Sequence, residues 1–196
     1  MQRYIVVALM AFSVFGLNFP AVYAKAVPET IYKWVQSSPR ANYYFNMQQM
    51  CFAVDGKGMI DQNVLIVPTI KTYDDLQIQD VIAKRRWKMM DMDGYDDLSG
   101  VAEYVHIDLA KNIVTLIEKD DLDSEWDTLS ATYPNQVSDL SKMSEKNLDH
   151  IFYKTIVDYA KLHKAEILKQ TKGLVKPEDM QINKNLDKKN KNQKNK

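Results

Sequence analysis

Apolar residues along this chain keep a two-residue period through most of its length and then change to a helical one. Between Asn42 and Val54, Tyr43, Phe45, Met47, Cys51 and Ala53 fall on one side, with Gln49 the exception. That alternation predicts a strand, because successive side chains point to opposite faces of a sheet. Asp55-Gly56-Lys57-Gly58 follows as a turn, since glycine accepts positive φ at little cost. Val64 to Thr72 is rich in β-branched residues and predicts another strand, with Pro68 assigning it to a sheet edge or a bulge. In Asp80 to Met90, Val81, Ala83, Trp87 and Met89 share one side with Arg85, while Ile82, Lys84, Arg86, Lys88 and Met90 take the other. This segment too is expected as a strand, one that would line its three outward cations into a row. Val101 to Leu109 and Ile113 to Lys119 predict a hairpin about Lys111-Asn112. The polar stretch 120–143 predicts irregular chain.

From Ser144 onward Leu148, Ile151, Phe152, Ile156, Tyr159, Ala160, His163 and Ile167 recur at three and four. The spacing predicts one long amphipathic helix of about 28 residues, with Ser144 as N-cap, Glu145 favourable to the helix dipole and Gly173 as the residue after its end. Strands followed by a terminal helix make the expected fold α+β: an antiparallel β-sheet of five or six strands with one long C-terminal helix packed on one face and the other face wet.

The two ends of the chain differ in character from the middle. Gln2-Arg3, the apolar run Tyr4 to Phe15, Pro20 and then Val22-Tyr23-Ala24 have the order of charges, core and small residues expected of a secretory signal peptide over 1–24. The core is shorter than the roughly 20 residues a spanning helix needs, so no transmembrane anchor is expected in the mature chain. Residues 25–173 are expected to form a single α+β domain. Residues 174–196, rich in Lys and Asn, have too little apolar surface to offset ordering and are expected as a disordered basic tail. The expected location is outside the cytoplasm: periplasmic, cell-surface or secreted.

Composition then narrows the chemistry. The chain of 196 residues has a formal net charge of 0, but Asp91 to Asp127 holds twelve Asp and Glu against two Lys, and Lys169 to Lys196 nine Lys against three acids. Cys51 is the only cysteine, so an intramolecular disulfide is impossible and a pairing between chains is the alternative to a small buried thiol. Asp91, Asp93, Asp96 and Asp97 invite a calcium reading, but Gly94 stands fourth and Ala102 twelfth from Asp91, which breaks the EF-hand pattern. His106, His150 and His163 lack metal-ligand spacing, and no nucleophile elbow or phosphate-cradling loop occurs. No catalytic or metal-ligating residue and no cofactor are assigned. Lys84, Arg86 and Lys88 remain as the candidate binding residues, suited to an acidic protein, a glycan or an envelope polymer, with Glu103 or Asp108 as alternative cross-strand partners for these cations. Nucleic acid has no supporting motif.

Trp34 ahead of Tyr43-Tyr44-Phe45-Asn46, Arg86-Trp87-Lys88, and the stretch Tyr104 to Val114 together resemble the surface-adhesin protein E family of bacterial envelope proteins, over about residues 34–130. The resemblance implies a helix-covered antiparallel sheet and binding of host or matrix proteins. The chain lacks both the second cysteine of such domains and a lipid-attachment cysteine after the leader. The leading expectation is therefore an exported, adhesin-like binding module. The alternatives are a hydrolase or metal-assisted enzyme in which Asp91, Asp93 or Asp123 meets His106, and a structural envelope protein that dimerises through Cys51 or a sheet edge.

Overall fold

A computed structural model of the chain describes residues 26–174; the expected leader (1–24) and the expected tail beyond Leu174 lie outside the described residues. Among the described residues eight strands form one antiparallel sheet, joined by three α-helices. In chain order they are β1 (Tyr32–Ser37), β2 (Ala41–Asn46), β3 (Cys51–Val54), β4 (Ile60–Tyr73), α1 (Asp75–Trp87), β5 (Gly100–Asp108), β6 (Ile113–Leu122), β7 (Thr128–Thr132), β8 (Gln136–Asp139), α2 (Leu148–Leu162) and α3 (Lys164–Gln170). The spatial order is β1-β2-β4-β5-β6-β7, with β3 added beside β4 and β8 beside β6. The α+β class holds, but the sheet is wider than five or six strands.

Local chemistry explains where the chain breaks. The expected single strand over 42–54 is two, because the buried Asn46 side chain accepts from the backbone N–H of Gln48 and Gln49 at 3.0 and 2.9 Å and turns the chain. Gln49, the one residue out of alternation, sits in that turn. At the next turn Asp55 Oδ1 accepts from the backbone of Lys57 and Met59, and Gly58 takes φ +79°.

Pro68 does not mark an edge. β4 is central, paired by β5 on one side and by both β2 and β3 on the other. β2 pairs Thr69 to Tyr73 and β3 pairs Ile60 to Ile66, so Pro68 falls in the gap between them, where one side of β4 has no ladder to join.

The segment 80–90, expected as a strand, lies mostly in α1. Its end signals outweigh the alternation: Asp74 Oδ1 accepts from Gln77 N at 2.8 Å as N-cap, Asp75 occupies the first turn, and Lys84, Arg85 and Arg86 the last. At 100° per residue a helix places Lys84 and Lys88 together and Arg86 on the far side, so the expected row of cations does not form.

The C-terminal helix is also corrected. Asn147, not Ser144, is the N-cap, accepting from Asp149 N and His150 N. His163, at φ −105° and ψ 20°, breaks the long helix into α2 and α3. Thr171 closes α3, and its hydroxyl also accepts from Phe52 N on β3 at 3.0 Å. Gly173 is not a helix-end residue; it lies so close to the β3–β4 turn that an added Cβ would stand 2.8 Å from Ile60 Cγ1. Leu174 then forms a parallel bridge with Met59.

The core fills the space between the sheet and α2 and α3. Phe45, Leu65, Val67, Val105 and Ile107 from the strands meet Phe152, Ile156 and Ile167, all with almost no exposed surface. Burying a side chain such as Phe152 contributes about 1.5–3 kcal/mol. The ring of Tyr43 stands edge-on to Phe152 at 5.4 Å, and that of Phe45 to Tyr159 at 5.0 Å. β7 and β8, where irregular chain was expected, are short strands at the margin of the sheet; their polar residues reflect that largely solvated position.

Candidate functional site

Strand register decides which side chains each face of the sheet presents, since directly opposed residues share a face. Tyr43 opposite Lys71, and Thr69 opposite Glu103, lie on the helix-covered side with Phe45 and Val105. Trp34 opposite Tyr44, Tyr44 opposite Ile70 and Ile70 opposite Ala102 form a row on the open side. Tyr32 and Tyr104 stand in the neighbouring row, opposite Asn46 and Pro68. Among the described residues the open face therefore carries an aromatic set that no helical apolar stripe covers.

At one corner of that face is a broad cleft of about 1130 Å³. Tyr32, Trp34 and Tyr44 form its aromatic wall, and Asp75, Asp96 and Asp97 bring carboxylates from the start of α1 and the 3-10 turn Tyr95–Asp97. Trp34 is 55 % exposed, and its indole N–H donates to Ser37 Oγ at 3.4 Å, which orients the ring. Ser124 Oγ donates to Asp97 Oδ2 at 2.7 Å and fixes that carboxylate from the β6–β7 connection. Further along the open face burial and then the Asp120 and Glu118 carboxylates push the Tyr104 hydroxyl up from its ordinary pKa. Burial, Glu118 and Asp121 likewise raise Asp120. The face is acidic and aromatic, suited to hydrogen-bond donors and flat C–H surfaces rather than to anions.

The residues singled out from the sequence are not gathered there. Lys84, Arg86 and Lys88 are exposed at the end of α1 and make no ion pair among the described residues. Their proposed cross-strand acids are taken: Glu103 lies 2.8 Å from Lys71, and Asp108 2.9 Å from Lys111. The acidic segment organises its own loops. Asp91 Oδ1 accepts from Asp93 N, and Asp123 Oδ1 accepts from the backbone of Glu125 and Asp127. His106, opposite Ile66 and Thr115, is about 20 Å along β5 from the Gly100 end where Asp123 lies, so His106 and Asp123 do not converge. No group of three or more His, Cys, Asp or Glu among the described residues could hold a metal ion. His150 Nδ1 is 3.2 Å from Leu140 O, and His163 stacks on Tyr159 and pairs with Glu166. Cys51 is a half-buried free thiol on β3 whose pKa burial raises, which disfavours the reactive thiolate.

Two buried charged clusters escaped the sequence reading. Beneath α2, Lys71 and Glu103 pair at 2.8 Å with the Lys71 ammonium 5.3 Å from the Tyr43 ring centre. Burial works against the Lys71 charge, but the Glu103 carboxylate more than reverses this and holds its pKa above the ordinary value. Burial, followed by Glu103, raises the Tyr73 and Tyr153 hydroxyls. Beside α1, the guanidinium of Arg85 lies 3.8 Å over the Tyr95 ring, and both Tyr95 Oη (2.8 Å) and Arg85 Nη1 (3.7 Å) address Asp121 Oδ2. The available signals were Lys71 and Glu103 standing on apolar faces of their strands, and Arg85 interrupting an apolar side. No protein-family model matches the chain, and neither a curated protein nor a solved structure matches it.

Proposed function

We propose that this chain is an exported, non-catalytic binding module of the bacterial envelope or its surroundings, and that it holds a glycan strand on the open face of its sheet. The cleft walled by Tyr32, Trp34 and Tyr44 and rimmed by Asp75, Asp96 and Asp97 carries the reading. Sugar rings present flat C–H faces that pack on aromatic side chains, and their hydroxyls donate to fixed carboxylates; few convergent polar groups on a largely apolar wall are the usual makeup of a ligand site. Of the partners expected from the sequence, an acidic protein fits this face worst, because Glu29, Asp75, Asp96 and Asp97 outnumber the cleft's one cation, Lys33. The adhesin resemblance and the leader-like N-terminus agree with a role outside the cytoplasm.

Titrating the chain with a tetramer of N-acetylglucosamine, followed by amide NMR shifts, tests the reading. Shifts should cluster at Tyr32, Trp34, Tyr44 and Asp97, and Trp34→Ala should weaken binding at least tenfold. Saturable binding that Trp34→Ala leaves unchanged would remove the cleft from the function. For export, the N-terminus of protein recovered outside the cytoplasm should begin near Lys25; an intact Met1 there would refute processing.

A further inference from the structure

At the end of α1 the molecule exposes what most proteins hide. Trp87 is 80 % exposed, Met89 94 % and Met90 39 %, and Lys84, Arg86 and Lys88 surround them. None of these three cations forms an ion pair among the described residues. The tip is also held in shape. Met89 takes φ +52°, a left-handed conformation that L side chains adopt at a cost. The backbone N–H groups of Lys88, Met89 and Met90 donate to the carbonyls of Lys84, Arg86 and Arg85.

The inward residue of the turn, Arg85, is the base on which the tip stands. Its Nε and Nη2 both donate to Asp91 O, at 3.1 and 2.8 Å, closing the loop from the helix end to residue 91. Its guanidinium rests on the Tyr95 ring and faces Asp121. A strained, pinned backbone thus presents apolar side chains to solvent. Preorganisation of this kind serves association, because little ordering remains to be done on contact.

We propose that the Lys84–Met90 tip is a membrane-surface contact, with Trp87 and Met89 entering the headgroup region of an anionic bilayer and Lys84, Arg86 and Lys88 meeting lipid phosphates. The shape selects the partner. A convex point with cations on more than one side of the helix matches a deformable, negatively charged surface better than a rigid protein pocket. Tryptophan settles at the water–hydrocarbon boundary, and Lys and Arg lay their stems along apolar surface while their heads reach phosphate. Each cation near an anionic leaflet strengthens binding roughly fivefold, so three contribute on the order of a hundredfold. Asp91 and Asp93 follow in the loop, and Asp91 Oδ1 is engaged by Asp93 N. This contact is independent of the glycan cleft and stands or falls apart from it.

Co-sedimentation of the whole mature chain with vesicles tests it. The chain should bind vesicles of equimolar phosphatidylglycerol and phosphatidylcholine and should not bind phosphatidylcholine alone. Trp87→Ser with Met89→Ser, and separately Lys84→Gln, Arg86→Gln and Lys88→Gln together, should each weaken binding at least tenfold while the circular dichroism of the folded chain is kept, since all five side chains are exposed and neutral Gln places no carboxylate at the helix end. Absence of binding to the anionic vesicles overturns the proposal. So does a Ser variant that binds them as well as the parent chain, which would reduce the tip to a generic polycation.

Discussion

α1 and α2 are helices of similar length on one sheet, built on opposite plans. α2 gives its apolar side to the core, with Phe152, Tyr153, Ile156, Val157 and Ala160 buried. α1 buries a single residue, the charged Arg85, and leaves Leu76 and Trp87 exposed. A helix is ordinarily stabilised by packing an amphipathic side. α1 instead depends on its ends, a capped Asp74 start and an Arg85-anchored finish. One helix serves the core and the other serves its own tip.

Substitutions can break or sharpen this contrast. Phe152→Ala should cost about 3–5 kcal/mol in urea unfolding, the range for truncating a core aromatic; a loss under about 1 kcal/mol would mean that α2 does not carry the core. Arg85→Ala should cost less, about 1–3 kcal/mol, by leaving Asp91 O without its donor and the Asp121 carboxylate without its neighbouring guanidinium. It should also raise amide hydrogen exchange across 86–91, which Phe152→Ala should not do selectively. The caps should behave alike despite the different faces: Asp74→Ala and Asn147→Ala should each cost about 1 kcal/mol. Trp87→Ala should change stability by no more than about 0.5 kcal/mol, as expected of an exposed side chain; a larger loss would show a packing role for that ring.

Alkaline pH gives the finest test of the contrast. Burial, with the Asp121 carboxylate, pushes the Tyr95 hydroxyl from 10.0 up to about 12. A tyrosine whose folded pKa lies above its unfolded one contributes stability that is complete below pH 10 and lost as pH rises toward 12. Tyr73 at the end of β4 and Tyr153 on α2 shift in the same direction. Stability should therefore hold to near pH 10 and then fall. Tyr95→Phe should lessen that fall only slightly, because Tyr73 and Tyr153 remain.

The same contrast explains what could be read in the chain beforehand. α2 was visible because its apolar residues recur at three and four, and the β5–β6 hairpin because Val105 and Ile107 alternate with Tyr104 and His106. α1 reads as a strand in the sequence because its apolar residues follow no helical stripe; only Asp74 and the terminal cations mark its type. The break at His163 left no pattern, since residues on both sides of it continue the same spacing. Alternation singles out Lys84, Arg86 and Lys88 but aligns them in a row that the helix does not form. The aromatic cleft was hidden because Tyr32 and Trp34 join Tyr44 only through strand pairing, and Asp97 joins them from some fifty residues further on.

The Thr171 hydroxyl, bonded to Phe52 N across 119 positions of sequence, has a consequence for how the molecule is born. Thr171 follows the helix that seals the core, and the strand it joins, β3, is synthesised long before it. A chain emerging from a ribosome cannot finish its interior until that last turn is free. Such late closure leaves the sheet without its full cover until synthesis has passed Thr171, so contacts of the highest sequence separation are the last to form.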